Sequence, residues 1–362
     1  MARRTTHHAR TTVRAVTAAL LATAATAVAL PAQAHGRAQA PACGITVTAD
    51  YTLPANLRCS GTAITVVPSN PAQTITLDLG GHAVVGDGTG VGVDVRVDET
   101  VGGSVVVRNG QIRGFDAAVA GSNVAAVTLA DLTVRNNRVW FAQGVLEMLA
   151  FRLTVDHARV VDSGTAGGPI ESYLTVRSSQ FVRSSVEQPS ESYATVQDSV
   201  FVGGGVTTGY AANVVAERNT FRNCDIGVHA YDSWPSSPTT VQGNHFVGCR
   251  IGALIEVSTA GVGPNAVTVT GNEFRRNAEA GLTFRVWDPI GQIDITGNVA
   301  IDNGGAGITG TGAGITTVAH NTAVRNHGRG IDVADAVDGG GNVARGNTTS
   351  PQCVGVVCAA RP

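Results

Sequence analysis

Arg218-Asn219-Thr220-Phe221, Gly243-Asn244-His245-Phe246, Gly271-Asn272-Glu273-Phe274, Gly297-Asn298-Val299-Ala300, His320-Asn321-Thr322-Ala323 and Gly341-Asn342-Val343-Ala344 are versions of one phrase. Their asparagines fall 25, 28, 26, 23 and 21 residues apart. A period in the twenties, with an alternating apolar and polar run before each asparagine, is the mark of a solenoid. Turns of that length predict three short strands and three bends per coil. Stacked asparagines would then hydrogen-bond along the axis, and Gly-Asn or Arg-Asn would supply the left-handed backbone that a sharp bend needs.

Working outward from this phrase, the residue after each bend forms a ladder: Val84, Ile112, Val134, Val160, Phe181, Phe201, Phe221, Phe246, Phe274, Ala300, Ala323 and Ala344. Each rung follows a strand-like segment such as Val127-Thr128-Leu129 or Val267-Thr268-Val269-Thr270. The expected fold is therefore all-β, about twelve coils, with a single solenoid domain over residues 43–362. No amphipathic helix is expected.

Composition agrees. Of 362 residues 45 are glycine, aromatics are 5%, charged residues 14%, and lysine is absent. A net charge of −2 gives no reason to expect nucleic acid or an anionic membrane as a partner. Residues 1–34 read as a signal peptide: Arg3, Arg4, Arg10 and Arg14 precede an apolar run, and Ala32-Gln33-Ala34 closes it as a cleavage signal. Arg3-Arg4 leaves the Sec and twin-arginine routes both open. The mature chain is expected to be secreted, extracellular and monomeric, with no membrane contact after cleavage.

Six cysteines in an exported chain read as disulfides. Cys43 and Cys59 bracket the first strand-like segment, and Cys353 and Cys358 close a small loop. Cys224 and Cys249 each lie three residues after a rung, so they occupy equivalent places on neighbouring coils, about 4.8 Å apart. The expected bridges are 43–59, 224–249 and 353–358. No Cys-x-x-Cys spacing suggests a metal.

The Gly-Asn-x-Phe bends, the Gly-Ile/Leu strands after them and the opening Cys43…Leu57-Arg58-Cys59…Leu77-Asp78-Leu79-Gly80-Gly81-His82 resemble secreted right-handed parallel β-helix proteins of the pectin-lyase-like superfamily. The resemblance is greatest to an actinobacterial β-helix repeat group and extends to Cys353-Val354-Gly355-Val356-Val357-Cys358. It implies a right-handed parallel β-helix with an extracellular polysaccharide as partner. It does not choose between enzymes and non-catalytic members.

In that family the strand after the third bend carries the substrate groove. With period two, His229, Tyr231, Glu256 and Arg285 point outward there on successive coils, and Asp232, Trp287 and Asp288 lie just beyond the strand ends. A guanidinium beside an imidazole and a phenol suits β-elimination from a uronic-acid polymer. Arg285 neutralises the substrate carboxylate, while His229 or Tyr231 moves the proton. The expected activity, if catalytic, is polysaccharide lyase-like, with Asp232, Trp287 and Asp288 binding substrate. The plain alternative is a surface ion pair of Glu256 and Arg285 worth under about 1 kcal/mol, on a wall- or surface-associated binding or structural protein. Tyr173 and Tyr193, expected to stack on adjacent coils, are a second candidate sugar contact, although a packing ladder accounts for them equally well. Lysine-based lyase chemistry is excluded, and so is a polygalacturonase with its paired aspartates. No cofactor is expected, and no acidic cluster has the spacing of a calcium site.

Overall fold

The computed structural model describes residues 41–359, apart from 97–101, 144–150, 168–171, 232–237, 258–264, 288–290 and 312–314. The expected signal peptide, Asp232 and Asp288 lie outside the described residues. Every strand pairing is parallel and joins a strand to its equivalent one coil on, so the chain winds as a solenoid. There are about twelve coils and no helix among the described residues.

Three sheets run along the axis. The first contains strands such as Tyr173–Arg177, Tyr193–Gln197 and Asn213–Glu217. The second contains Thr220–Arg222, His245–Val247 and Glu273–Arg275. The third contains Ile226–Tyr231, Ile251–Val257 and Ala280–Val286. The expected rungs pair in the expected order from Val84 to Ala344.

The rungs are the core. From Phe181 to Phe274 the rings stack with centroids 4.8–5.0 Å apart, close to the strand spacing. Each is fully buried, worth about 1.5–3 kcal/mol for the transfer alone. Space for the rings comes from glycine across the coil. A Cβ on Gly227 would stand 2.5 Å from the Phe246 ring, and one on Gly252 2.6 Å from Phe274.

Two bends per coil flank the rung strand, and both follow one rule. The residue three before the rung is left-handed, as at Arg218 (φ 54°), Gly243 (63°), Gly271 (62°) and His320 (55°). So is the residue two after it, as at Asn223 (51°), Gly248 (68°), Arg276 (50°) and Asp302 (57°). The next side chain then turns inward. The Gly-Asn and Arg-Asn pairs supply the left-handed backbone as expected, at the first residue of the pair, and the asparagine itself is buried. Its amide works along the axis as expected. Asn244 N–H and Nδ2 both donate to Asn272 Oδ1, at 2.9 and 3.0 Å, and the pattern continues to Asn298, Asn321 and Asn342.

The second bend carries a ladder of its own: Asn277, Asn303, Asn326 and Asn347, joined in the same manner. Cys224 and Cys249 hold the same place on the two preceding coils, and Cys249 N–H donates to Asn277 Oδ1. All three expected disulfides are present, 43–59, 224–249 and 353–358. The middle one replaces a rung of polar hydrogen bonds by a covalent bond between coils.

Candidate functional site

On the third sheet the predicted columns hold. Tyr231 pairs with Glu256 and Glu256 with Arg285, while His229 lies opposite Leu254 in the neighbouring column. Strand alternation turns Val228, Ala230, Ala253, Ile255, Leu282 and Phe284 into the core, which leaves these polar residues on the outer face.

Glu256 is the centre of the cluster. One carboxylate oxygen receives Arg285 Nη1 at 2.9 Å, and the other lies 2.7 Å from His229 Nε2. Its side chain is only 8% exposed, against 22% for His229 and 55% for Arg285. That burial departs from the solvated surface pair of the plain sequence reading. An anion so enclosed depends on both partners, because removing either leaves a buried charge under-compensated. With a carboxylate oxygen as its partner, Nε2 of His229 donates, and Nδ1 is the ring nitrogen turned away from Glu256. No described residue bonds to Nδ1.

Two aromatic residues complete the group. The Tyr231 ring meets the His229 ring edge-on at 6.1 Å and the Trp287 ring at 6.2 Å. Tyr231 and Trp287 belong to the coils on either side of Glu256, so their rings meet across the coil that carries it. Trp287 remains half exposed, and its backbone N–H donates to Val257 O.

His229 also lines a cleft of about 260 Å³ with Ser185, Gly203, Gly204, Gly205, Thr207, Asp225 and Ile226. Three successive glycines leave this part of the face without side chains, and Thr207 pairs with His229 one coil away. Sequence reading missed the cleft, although the Gly203-Gly204-Gly205 run was its visible signal. Hydrogen bonding from Arg250 holds the Asp225 carboxyl below its ordinary value, so the cleft lining includes an anion.

Tyr173 and Tyr193 stand on the first sheet, apart from this cluster. They stack at 5.0 Å and 10°, and Arg152 covers the other face of Tyr173 at 4.8 Å. Both faces of the Tyr173 ring are therefore occupied, and its edge is what meets solvent.

A family model described as right handed beta helix region matches residues 86–289, more than half of the chain. A second, described as periplasmic copper-binding protein (NosD), matches residues 259–361. That segment does not fit a copper site: its two cysteines form a disulfide, and no three His, Cys, Asp or Glu residues group together among the described residues. No curated protein matches the chain. Among solved structures, the catalytic domain of a GH87 alpha-1,3-glucanase variant in complex with tetrasaccharides is 12% identical, with 87% of this chain and 64% of that chain covered and a TM-score of 0.38. Tailspike protein 3 of bacteriophage CBA120 is 13% identical, with 88% and 55% covered and a TM-score of 0.41. The GH87 alpha-1,3-glucanase catalytic unit from Streptomyces thermodiastaticus strain HF3-3 is 12% identical, with 82% and 62% covered and a TM-score of 0.31. The chain spans less than two thirds of each of these structures, and likeness at this level carries no activity across.

Proposed function

The chain belongs to the right handed beta helix region family, and on that premise we propose that it binds an acidic extracellular polysaccharide along the third sheet and cleaves it by β-elimination. The observation that carries this reading is the contact of His229 with Glu256: the carboxylate engages Nε2, and the residue lines a cleft with Nδ1 unengaged among the described residues. In the proposed step Nδ1 takes the proton α to a uronate carboxylate. The electron pair forms the ring double bond, the bond to the departing glycosidic oxygen breaks, and the Tyr231 hydroxyl returns a proton to that oxygen. Arg285 keeps N–H groups beyond the one given to Glu256, and these neutralise the substrate carboxylate and so acidify its α-proton. Glu256 is a positioning residue. Trp287, with Asp232 and Asp288 on the segments that follow, flanks the sugar chain, and Tyr173 and Tyr193 offer a more distant contact.

A second reading, a non-catalytic wall- or surface-associated glycan-binding protein, draws on the same cluster: both Glu256 oxygens are engaged by His229 and Arg285. Ultraviolet absorbance of the conjugated unsaturated uronate, followed over a panel of uronic-acid polymers, separates the two. Elimination predicts product from the wild type and a loss of about 10²-fold or more in His229→Ala. No product on any polymer, with polymer binding intact, would favour the second reading.

Residues 1–34 are assigned here as an export leader, by the Sec or twin-arginine route. Three disulfides suit an oxidising compartment, periplasmic or extracellular. Secretion to the outside as a monomer is the finer proposal.

A further inference from the structure

The second sheet carries a different feature on its outer face, in the early coils. Arg113 and Arg135 occupy paired positions on adjacent strands, so their side chains leave the sheet one strand spacing apart. Arg159 stands one coil further along the neighbouring column, after Gln111 and Thr133. Neither column holds a carboxylate between Ala83 and Gln180 or between Val85 and Val182.

On other columns an arginine meets an acid of the neighbouring coil: Asp116 for Arg138, Asp162 for Arg183, Asp198 for Arg218 and Asp302 for Arg325. Arg113 and Arg135 have no ion-pair partner among the described residues. The Nε atoms of both are buried without a hydrogen-bond acceptor. Arg135 gives one bond, from Nη2 to Gln111 Oε1 at 3.3 Å, and Arg159 gives Nε to Gln180 Oε1 at 3.0 Å. Two like charges leaving the sheet one strand spacing apart repel, and each buried donor left unsatisfied adds to the cost. An oxyanion between the outer N–H groups of the two planar forks offsets the repulsion.

We propose that Arg113 and Arg135, with Gln111, Thr133 and Arg159 around them, form an oxyanion-binding site for an acidic polysaccharide, whose carboxylate or sulfate bridges the two arginines. It shares a ligand class with the proposed function but lies on another sheet and uses none of the same residues. An acidic chain held here is tethered to the rod away from the third-sheet cleft.

The test is equilibrium binding of oligogalacturonate, a sulfated dextran and neutral dextran to wild type, to Arg113→Gln/Arg135→Gln and to Arg135→Glu. The wild type is expected to bind at least one acidic polymer and not the neutral one. Both variants lose about tenfold or more in affinity. Arg135→Glu also raises the unfolding midpoint without polymer, because it turns the like-charged pair into an ion pair like Asp116–Arg138. Acidic polymer bound equally by wild type and both variants, or bound by none, overturns the site, and so does equal binding of neutral dextran. His229→Ala keeps arginine-dependent binding, so failure of the elimination assay with this binding intact removes the proposed reaction alone.

Discussion

Replacing Asn272 by alanine tests the internal ladder, on which the coil-to-coil register rests. Asn272 Oδ1 accepts two bonds from Asn244, one of them from the backbone N–H, and Asn272 Nδ2 donates to Val241 O at 2.8 Å and to Asn298 Oδ1 at 3.0 Å. Alanine leaves the Asn244 N–H buried with no acceptor. The Asn244 amide keeps its bond to Ala216 O, and Asn298 Oδ1 still accepts the backbone N–H of residue 272. The count is one orphaned donor, a weakened carbonyl and a small void, about 3 kcal/mol in all. Asn272→Asp should cost more, since its second oxygen would face Val241 O and Asn298 Oδ1 as a buried anion among acceptors. Urea unfolding gives the global loss. Hydrogen exchange at the Asn244 amide gives the local one, which matters because solenoid coils need not unfold as a single unit. A loss below about 0.5 kcal/mol, the size of an ordinary surface change, would refute the reasoning.

Removing the middle disulfide as Cys224→Ala/Cys249→Ala should lower stability by about 3.5 kcal/mol on the chain-entropy relation for a 25-residue separation, measured by urea unfolding. Acid should act on the inter-coil ion pairs. Hydrogen bonding from Arg183, Arg218 and Arg325 holds the carboxyls of Asp162, Asp198 and Asp302 below their ordinary value. Their contribution is therefore present above the unfolded carboxyl range near pH 4 and is lost as pH falls through the lower folded values. The thermal midpoint should hold level from neutral pH to about pH 5 and decline below about pH 4, with the decline reduced by salt. Glu256→Gln keeps the shape but removes the charge between His229 and Arg285. It is expected to lower elimination by about 10²-fold while leaving polymer affinity within a few-fold, read from initial rates and binding isotherms.

The coils were legible because rungs are made by a repeated residue type at a countable distance. Stacked rings at Phe181, Phe201, Phe221, Phe246 and Phe274 leave a mark in sequence that does not depend on side-chain geometry. Counting from the asparagines also placed Tyr231, Glu256 and Arg285 in one column. The second ladder was equally open to counting, since Asn277, Asn303, Asn326 and Asn347 each follow a first-ladder asparagine by five residues. The left-handed residue of the second bend was not, because Asn223, Gly248, Arg276 and Asp302 take that backbone with no shared residue type. Nor was the burial of Glu256, whose carboxylate is engaged by His229 on one oxygen and by Arg285 on the other. Periodicity gives the column in which a side chain stands and is silent on what leans over it.

The mass spectrum of the oligosaccharides released from a uronic-acid polymer bears most directly on the function proposed for the third sheet. Elimination predicts fragments lighter by one water than the hydrolysis products of the same length, formed by the wild type and lost in His229→Ala. Saturated fragments alone, or unsaturated fragments released equally by the variant, would contradict it.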